Sequence, residues 1–315
     1  MAKVNGVLGP IDTADLGFTL MHEHVLVANW SMRMAFPDWI DREAHVERAV
    51  REVRSAKERG VRTIVDLTPI NLGRDIHVIR EVAEKAEMQI IAATGFYWTE
   101  EPFFLGWDAD RLVEILVRDI THGIQGTDAK AGIIKCATDE PGVTPTNRKL
   151  LQVAARLHRA TGVPISTHTH VQSLTGLAQQ DVFEEEGVDL RRVVIGHCGD
   201  TEDLDLLERI LRRGSFVGMD RFGLDMILPT EKRVSVVAEL CRRGWAGQIV
   251  LSHDACCHID WAPPGLLEAA VPRWNFRHIP DDVLPALRKE GVSEEDIRTM
   301  TVDNPRKIFE QQGAY

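Results

Sequence analysis

The 315-residue sequence nowhere reaches the run of about 18 apolar residues that a membrane-spanning helix needs. Its N-terminal stretch, MAKVNGVLGPIDTADLG, lacks a positive region followed by an apolar core and does not read as a secretory signal. Positive charge is also short. There are 37 basic against 48 acidic residues, a formal net charge of −11. That balance argues against nucleic acid or an anionic membrane surface as a partner. Cysteine is scarce and odd in number, five in all, which fits a cytoplasmic chain without a disulfide framework. Cys136, Cys256 and Cys257 stand at or just after apolar runs and read as buried or site-lining thiols. A bridge between the adjacent pair Cys256 and Cys257 would be strained. No glycine-rich phosphate turn follows the first apolar run, and no linker, low-complexity tract or repeat divides the chain. It therefore reads as one domain over residues 1–315.

What the chain does have is rhythm. Hydrophobic residues make up 44%, enough for a large core. Eight short apolar, β-branched runs recur: 17–21 GFTLM, 61–67 VRTIVDL, 88–94 MQIIAAT, 131–136 AGIIKC, 163–168 VPISTH, 193–196 VVIG, 215–219 SFVGM and 248–252 QIVLS. They are too short for helices and are bounded by turn formers, so each reads as a strand. Between them lie amphipathic segments such as 42–60, 147–162 and 201–214, each ending in glycine, the last with Thr201 as the expected N-cap. Eight β/α units predict an α/β fold, a (β/α)8 TIM barrel with helices outside. An open doubly wound sheet is the alternative.

In such a barrel, functional side chains gather at the C-terminal ends of the strands. There the sequence sets His22 and His24 after the first run, Lys135 in the fourth, His168 ending the fifth, His197 after the sixth and Asp254 after the eighth. Each has an ordinary explanation. An HxH pair arises by chance, His197 could be a core histidine, and Asp254 could cap a helix with His253 as the ligand instead. Lys135 is the odd residue, because a charged lysine inside a barrel is costly. It either snorkels to the rim or is held neutral, where it can react with carbon dioxide to give a carbamate. The joint pattern points to metal ligands on one rim.

The chain resembles the amidohydrolase superfamily, within it the phosphotriesterase family, and within that the phosphotriesterase-like lactonases. The resemblance runs from GPIDTADLGFTLMHEH to VDNPRKIFE and includes TIVDLT, GIIKCATDEPG, PISTHTH, EEGVDLRRVVIGHCGDT, GSFVGMDRFGLD and LSHDACC. It implies two divalent metal ions, zinc first, with cobalt, iron or manganese equally suited to such ligands. His22, His24 and Asp254 would hold the buried ion, and His168 and His197 the exposed one. Lys135, as N6-carboxylysine, and a hydroxide would bridge them. His170 and His253 are not ligands in the family. Glu23 points the other way on its strand and reads as structural or supporting. Asp254 would accept the proton, and Asp200 matches a carboxylate in a proton relay, with helix capping as its alternative.

The resemblance also leans toward lactones. Arg221 stands where phosphotriesterases proper carry histidine. Tyr97 matches a lactonase tyrosine near the exposed metal. The segment after the seventh strand is short, as in lactonases. Trp261 and Cys256, in the loop after the eighth strand, are expected to line a pocket for an acyl chain. Thr99, Glu100 and Glu101 depart from the lactonase pattern near the mouth. The expected function is a hydrolase opening N-acyl-homoserine lactones (quorum quenching) or related lactones, with promiscuous phosphotriesterase activity. A phosphotriesterase or carboxylesterase is the alternative, and a non-catalytic binding barrel the outside one. The family also suggests a homodimer.

Overall fold

The computed structural model describes residues 2–263, 265–310 and 313–315. The chain opens with an antiparallel hairpin, β1 (Lys3–Gly6) and β2 (Gly9–Asp12), that the apolar pattern did not foretell. Eight parallel strands follow in chain order. They are β3 (Phe18–Glu23), β4 (Val61–Asp66), β5 (Gln89–Gly95), β6 (Ile133–Ala137), β7 (Ile165–His168), β8 (Val193–Ile195), β9 (Phe216–Met219) and β10 (Ile249–Leu251). Each of the eight anticipated runs overlaps a strand. The ends of the sheet meet. The Asp254 amide donates to the His22 carbonyl, His24 to Ala255, and Cys257 to His24, each at 2.9 Å. Eight parallel strands in chain order with joined ends make a nearly closed barrel, which removes the open-sheet alternative.

Parallel neighbours need crossover connections, and helices supply them. They span Arg42–Lys57, Ile76–Ala86, Ala109–Thr121, Pro145–Thr161, Thr175–Glu185, Leu204–Arg212 and Thr230–Arg242. The helix Pro145–Thr161 starts where the Thr144 hydroxyl accepts the Asn147 amide at 3.1 Å, and stops at Gly162, whose φ of 75° suits a residue without Cβ. One capping expectation fails. Asp203, not Thr201, caps Leu204–Arg212; its carboxylate accepts the Leu206 amide at 3.0 Å, and Thr201 accepts the Asp203 amide. The helix simply begins later than its apolar pattern suggests.

Strand alternation sorts the core into two shells. Val65, Ile91, Ala93, Ile133, Val194, Phe216 and Val250 fill the barrel interior, sealed from below by Val4, Leu16, Ile308 and Phe309. Ile64, Ile90, Ile134, Ile165, Ile195, Val217 and Leu251 face the helices. One strand breaks the alternation. In β3, Leu20 pairs with Ile64 and Glu23 with Asp66, three steps against two. The extra residue is a β-bulge. Leu20 lies in the outer shell and Met21 in the inner one, as alternation requires. The next residue, His22, also faces in.

Candidate active site

The barrel's C-terminal rim brings His22, His24, Lys135, His168, His197 and Asp254 together. His22 Nε2 and His24 Nε2 each lie 3.1 Å from Asp254 Oδ1. Lys135 Nζ is 3.0 Å from His22 Nε2. His197 Nε2 is 2.7 Å from His168 Nδ1, and the His22 and His197 rings stack at 5.0 Å. Two of these residues hold uncommon backbone conformations. His197 has φ 59° and Asp254 φ 55°, the left-handed region that side-chained residues rarely visit. Asp254 caps no helix. Gly95 lets β5 pass close to Lys135, since a Cβ there would sit 1.9 Å from the Lys135 carbonyl.

The far side of each imidazole is tied down. His22 Nδ1 donates to Asp220 Oδ2 at 2.8 Å and His197 Nδ1 to Asp220 Oδ1 at 2.9 Å. His168 Nε2 donates to Asp139 Oδ2 at 2.8 Å, and His24 Nδ1 meets the Thr68 hydroxyl at 2.8 Å. Burial drives the His22 and His197 imidazoles below their ordinary range and His168 to about 4, so all three are neutral. A neutral ring that donates from one nitrogen offers a lone pair at the other. The lone pairs of His168 Nδ1 and His197 Nε2 therefore face each other. Those of His22 and Asp254 do the same. Acceptors set against acceptors at 2.7–3.1 Å have no hydrogen to share, and a cation satisfies them. This donor set fits metal ions, with each ring oriented from behind as metal-binding histidines are. His22, His24 and Asp254 also form a cluster of ligand atoms within 4.8 Å of one another.

Charge at the site is arranged around these rings. Burial lowers the Lys135 ammonium to about 8, so that a minor but appreciable share is neutral amine at physiological pH. Burial alone would raise the Asp254 carboxyl, but its surroundings, the Arg221 guanidinium among them, outweigh it and hold it well below the usual carboxylate range. Arg221 donates from Nε to Asp254 Oδ2 at 3.0 Å and from Nη1 to Asp200 Oδ2 at 2.8 Å. Asp200 in turn accepts from Arg233 Nη1 at 2.7 Å. Asp200 therefore anchors Arg221, which lies between it and Asp254.

Above the donors lies a cavity of about 280 Å³, walled by Leu72, Met226, Ile227, Ile259, Leu267 and Trp274. Tyr97, Arg221, Cys256 and Trp261 also line it. The Tyr97 ring packs edge-on against His168 at 5.0 Å, and burial raises its hydroxyl so that it remains a donor. Trp261 is 63% exposed and lies 6.4 Å from Tyr97. The five cysteines are free thiols. His170 bonds Ser173 at the surface, and His253 is buried on Glu23, so neither joins the donors. Glu100 does not reach into the mouth. It accepts from Thr144 and Thr146 at 2.7 and 3.1 Å and pins the loop after β5 to the start of the helix Pro145–Thr161.

Sequence reasoning missed Asp220, Asp139 and Thr68. Asp220 was legible. Phe216 faces in, so Gly218 and Asp220 do too, and Asp220 stands at a strand end. Asp139 and Thr68 lie on loops, where no period marks them.

Comparisons with known proteins agree with this geometry. The family model described as the phosphotriesterase family matches residues 2–309. The phosphotriesterase homology protein of Mycobacterium tuberculosis is 51% identical over 325 residues, covering all of both chains. The aryldialkylphosphatase of Saccharolobus solfataricus is 42% identical, covering 95% of this chain and 96% of its own. The solved structure of the phosphotriesterase from Mycobacterium tuberculosis superposes with a TM-score of 0.95 at 50% identity, covering 99% of this chain and 100% of its own.

Proposed function

The chain belongs to the phosphotriesterase family of hydrolases, and from that premise we propose that it is a binuclear metal hydrolase whose main substrates are lactones. N-acyl-homoserine lactones are the first class, with phosphotriesters hydrolysed at the same site. The carrying observation is the opposed set of lone pairs at the barrel rim beneath an apolar cavity. His22, His24 and Asp254 would hold one ion and His168 and His197 the other, with Lys135 between them as a carbamate. Zinc is the proposed metal. Two such ions would make hydroxide available near neutral pH and polarise a carbonyl or phosphoryl oxygen.

The chain's own residues do the rest. Asp254 Oδ2 accepts a proton at the reacting centre, and Arg221 fixes that oxygen's direction. Asp200 holds Arg221 in turn. The Tyr97 hydroxyl donates to a lactone ring oxygen. The apolar wall and Trp261 take an acyl chain and exclude water. A second reading, with organophosphate triesters or carboxylic esters as the main substrates, draws on the aryldialkylphosphatase relative. A panel of acyl-homoserine lactones, simple γ- and δ-lactones, aryl dialkyl phosphates and aryl esters separates the two. Turnover of triesters alone would reject the lactonase reading.

Lys135→Ala tests the metal bridge. Its expected result is loss of bound metal by elemental analysis and a fall of at least about a hundredfold in kcat/KM, since a group between two ions supports both. Full metal content in that variant rejects the carbamate.

We further propose a cytoplasmic homodimer. Met34, Phe36 and Trp39 after β3, and Phe103, Leu105 and Trp107 after β5, are exposed apolar side chains on or beside the short helices Trp30–Ala35 and Phe103–Gly106, and such surface suits a partner. Light scattering on the eluted protein measures the mass. No helix among the described residues is long and apolar enough to cross a membrane.

A further inference from the structure

Glu23 sits between two proposed metal ligands, yet it is turned away from the pocket and is 0% exposed. Its Oε1 accepts from the Ser252 hydroxyl at 2.8 Å, the His253 amide at 3.0 Å and His253 Nδ1 at 2.6 Å. Its Oε2 accepts from the Ala255 amide at 2.9 Å. The amide in between, Asp254, donates to the His22 carbonyl at 2.9 Å. Three successive amides thus end on two successive residues of β3. Asp254 lies at their centre, at φ 55°.

The segment is also held from its other side. His253 donates from Nδ1 to Glu23, so its Nε2 is an acceptor and takes the Ile279 amide at 2.9 Å. The His253 carbonyl accepts from Trp274 Nε1 at 2.8 Å. Both neighbours of Asp254 are therefore fixed, and its carboxylate meets His22, His24 and Arg221.

We infer that Glu23 is a positioning residue for the metal site. By gathering the amides on either side of Asp254, it holds that residue in the left-handed turn that delivers the third donor to His22 and His24. One tripeptide then supplies two donors on one face of a strand and, on the other, the clamp for a donor 230 positions later. The inference rests on the metal-hydrolase reading for what the donors hold. The clamp itself is a property of the metal-free chain.

Glu23→Gln tests it. An amide has one oxygen where the carboxylate has two, so its NH2 must confront an N–H on one side of Asp254. The expected result is a ten- to hundredfold loss of zinc affinity in competition with a chelator, about the usual effect of removing an outer partner of a metal site. Amide hydrogen exchange at 253–255 in the metal-free variant should speed up by at least about tenfold, while the β6 and β7 amides keep their rates. Parent-like zinc affinity and parent-like exchange in a folded variant would overturn the inference. A merely packing role would lower the melting temperature and leave both readouts unmoved. Should the variant not fold, the metal-free parent still decides. Its 253–255 amides must exchange as slowly as those of β6 and β7, and fast exchange there rejects the clamp. A parent protein that binds no zinc or other divalent ion would reject the metal-hydrolase reading instead, with the exchange measurement still judging Glu23.

Discussion

Asp220 joins the two halves of the site with one side chain. Oδ2 takes His22 Nδ1, while Oδ1 takes both the Nδ1 and the backbone amide of His197. A carboxylate can do this because both its oxygens only accept. An asparagine cannot. Its carbonyl can serve one histidine, and its NH2 must then face the N–H of the other. That ring has to move its proton to Nε2, the nitrogen that should bind metal. Asp220→Asn is therefore expected to lower metal affinity and kcat/KM by about ten- to hundredfold, with little change in fold. Metal titration against a competing chelator measures it, and parent-like affinity in an active Asn variant would show that Asp220 does not set the tautomers. The lesson for reading sequences is specific. That His22, His24, His168, His197 and Asp254 converge was legible because each stands at a strand end, where barrel side chains meet on one rim. Asp220 is less conspicuous in the sequence because an aspartate at a strand end has many ordinary uses. The direction of Arg221, toward Asp254 and Asp200 together, is written in no local pattern.

Elements set where those residues point. From Leu20 in the outer shell, strict alternation would turn both His22 and His24 toward the helices. The bulge in β3 adds one residue, and both rings face the pocket. Period-two reasoning put the two histidines on one face correctly, but only the register with β4 decides which face. Helix starts show the same limit: Thr201 and Asp203 are both good caps, and the structure uses the later one. At the loop after β5, the unusual Glu100 finds its role only once the helix after β6 is in place, since its partners Thr144 and Thr146 are more than 40 positions away. Thr144 is the hinge of that arrangement, because its hydroxyl accepts the Asn147 amide and donates to Glu100. Thr144→Ala removes both bonds. The expected cost is about 1 kcal/mol, the usual value of a lost N-cap, read as a lower midpoint in urea. The loop also carries Tyr97, so KM for a lactone should rise more than kcat falls. An unchanged midpoint would mean that solvent caps the helix equally well.

At the scale of the whole molecule, stability also depends on groups outside the site. His45, on the helix Arg42–Lys57, is 4% exposed, and neither ring nitrogen has a hydrogen-bond partner. Burial first, and then His258, Arg48 and Arg33, drive its pKa from 6.5 to about 3, with Asp75 opposing them weakly. His258 packs edge-on to it at 5.7 Å. The sign follows from proton counting. Above pH 6.5 the ring is neutral in both the folded and unfolded chain and contributes no pH dependence. Between pH 6.5 and about 3 only the unfolded chain binds the proton, so acid favours unfolding by up to about 1.4 kcal/mol per pH unit. Below that range both states are charged and the effect levels off. From pH 8 to pH 5 this single ring should remove about 2 kcal/mol of stability. Burial lowers the pKa of His158 and His278 as well, with the same sign, so the acid limb is shared. His45→Leu isolates its part. The variant cannot take up the proton and leaves no unpaired nitrogen in the core, so its urea midpoint should depend less on pH between 8 and 5, with its stability at pH 8 held or raised. If the variant loses as much stability from pH 8 to pH 5 as the parent does, the acid sensitivity of the barrel lies in other groups, and the packing of His45 against His258 must open in acid to let the ring charge in place.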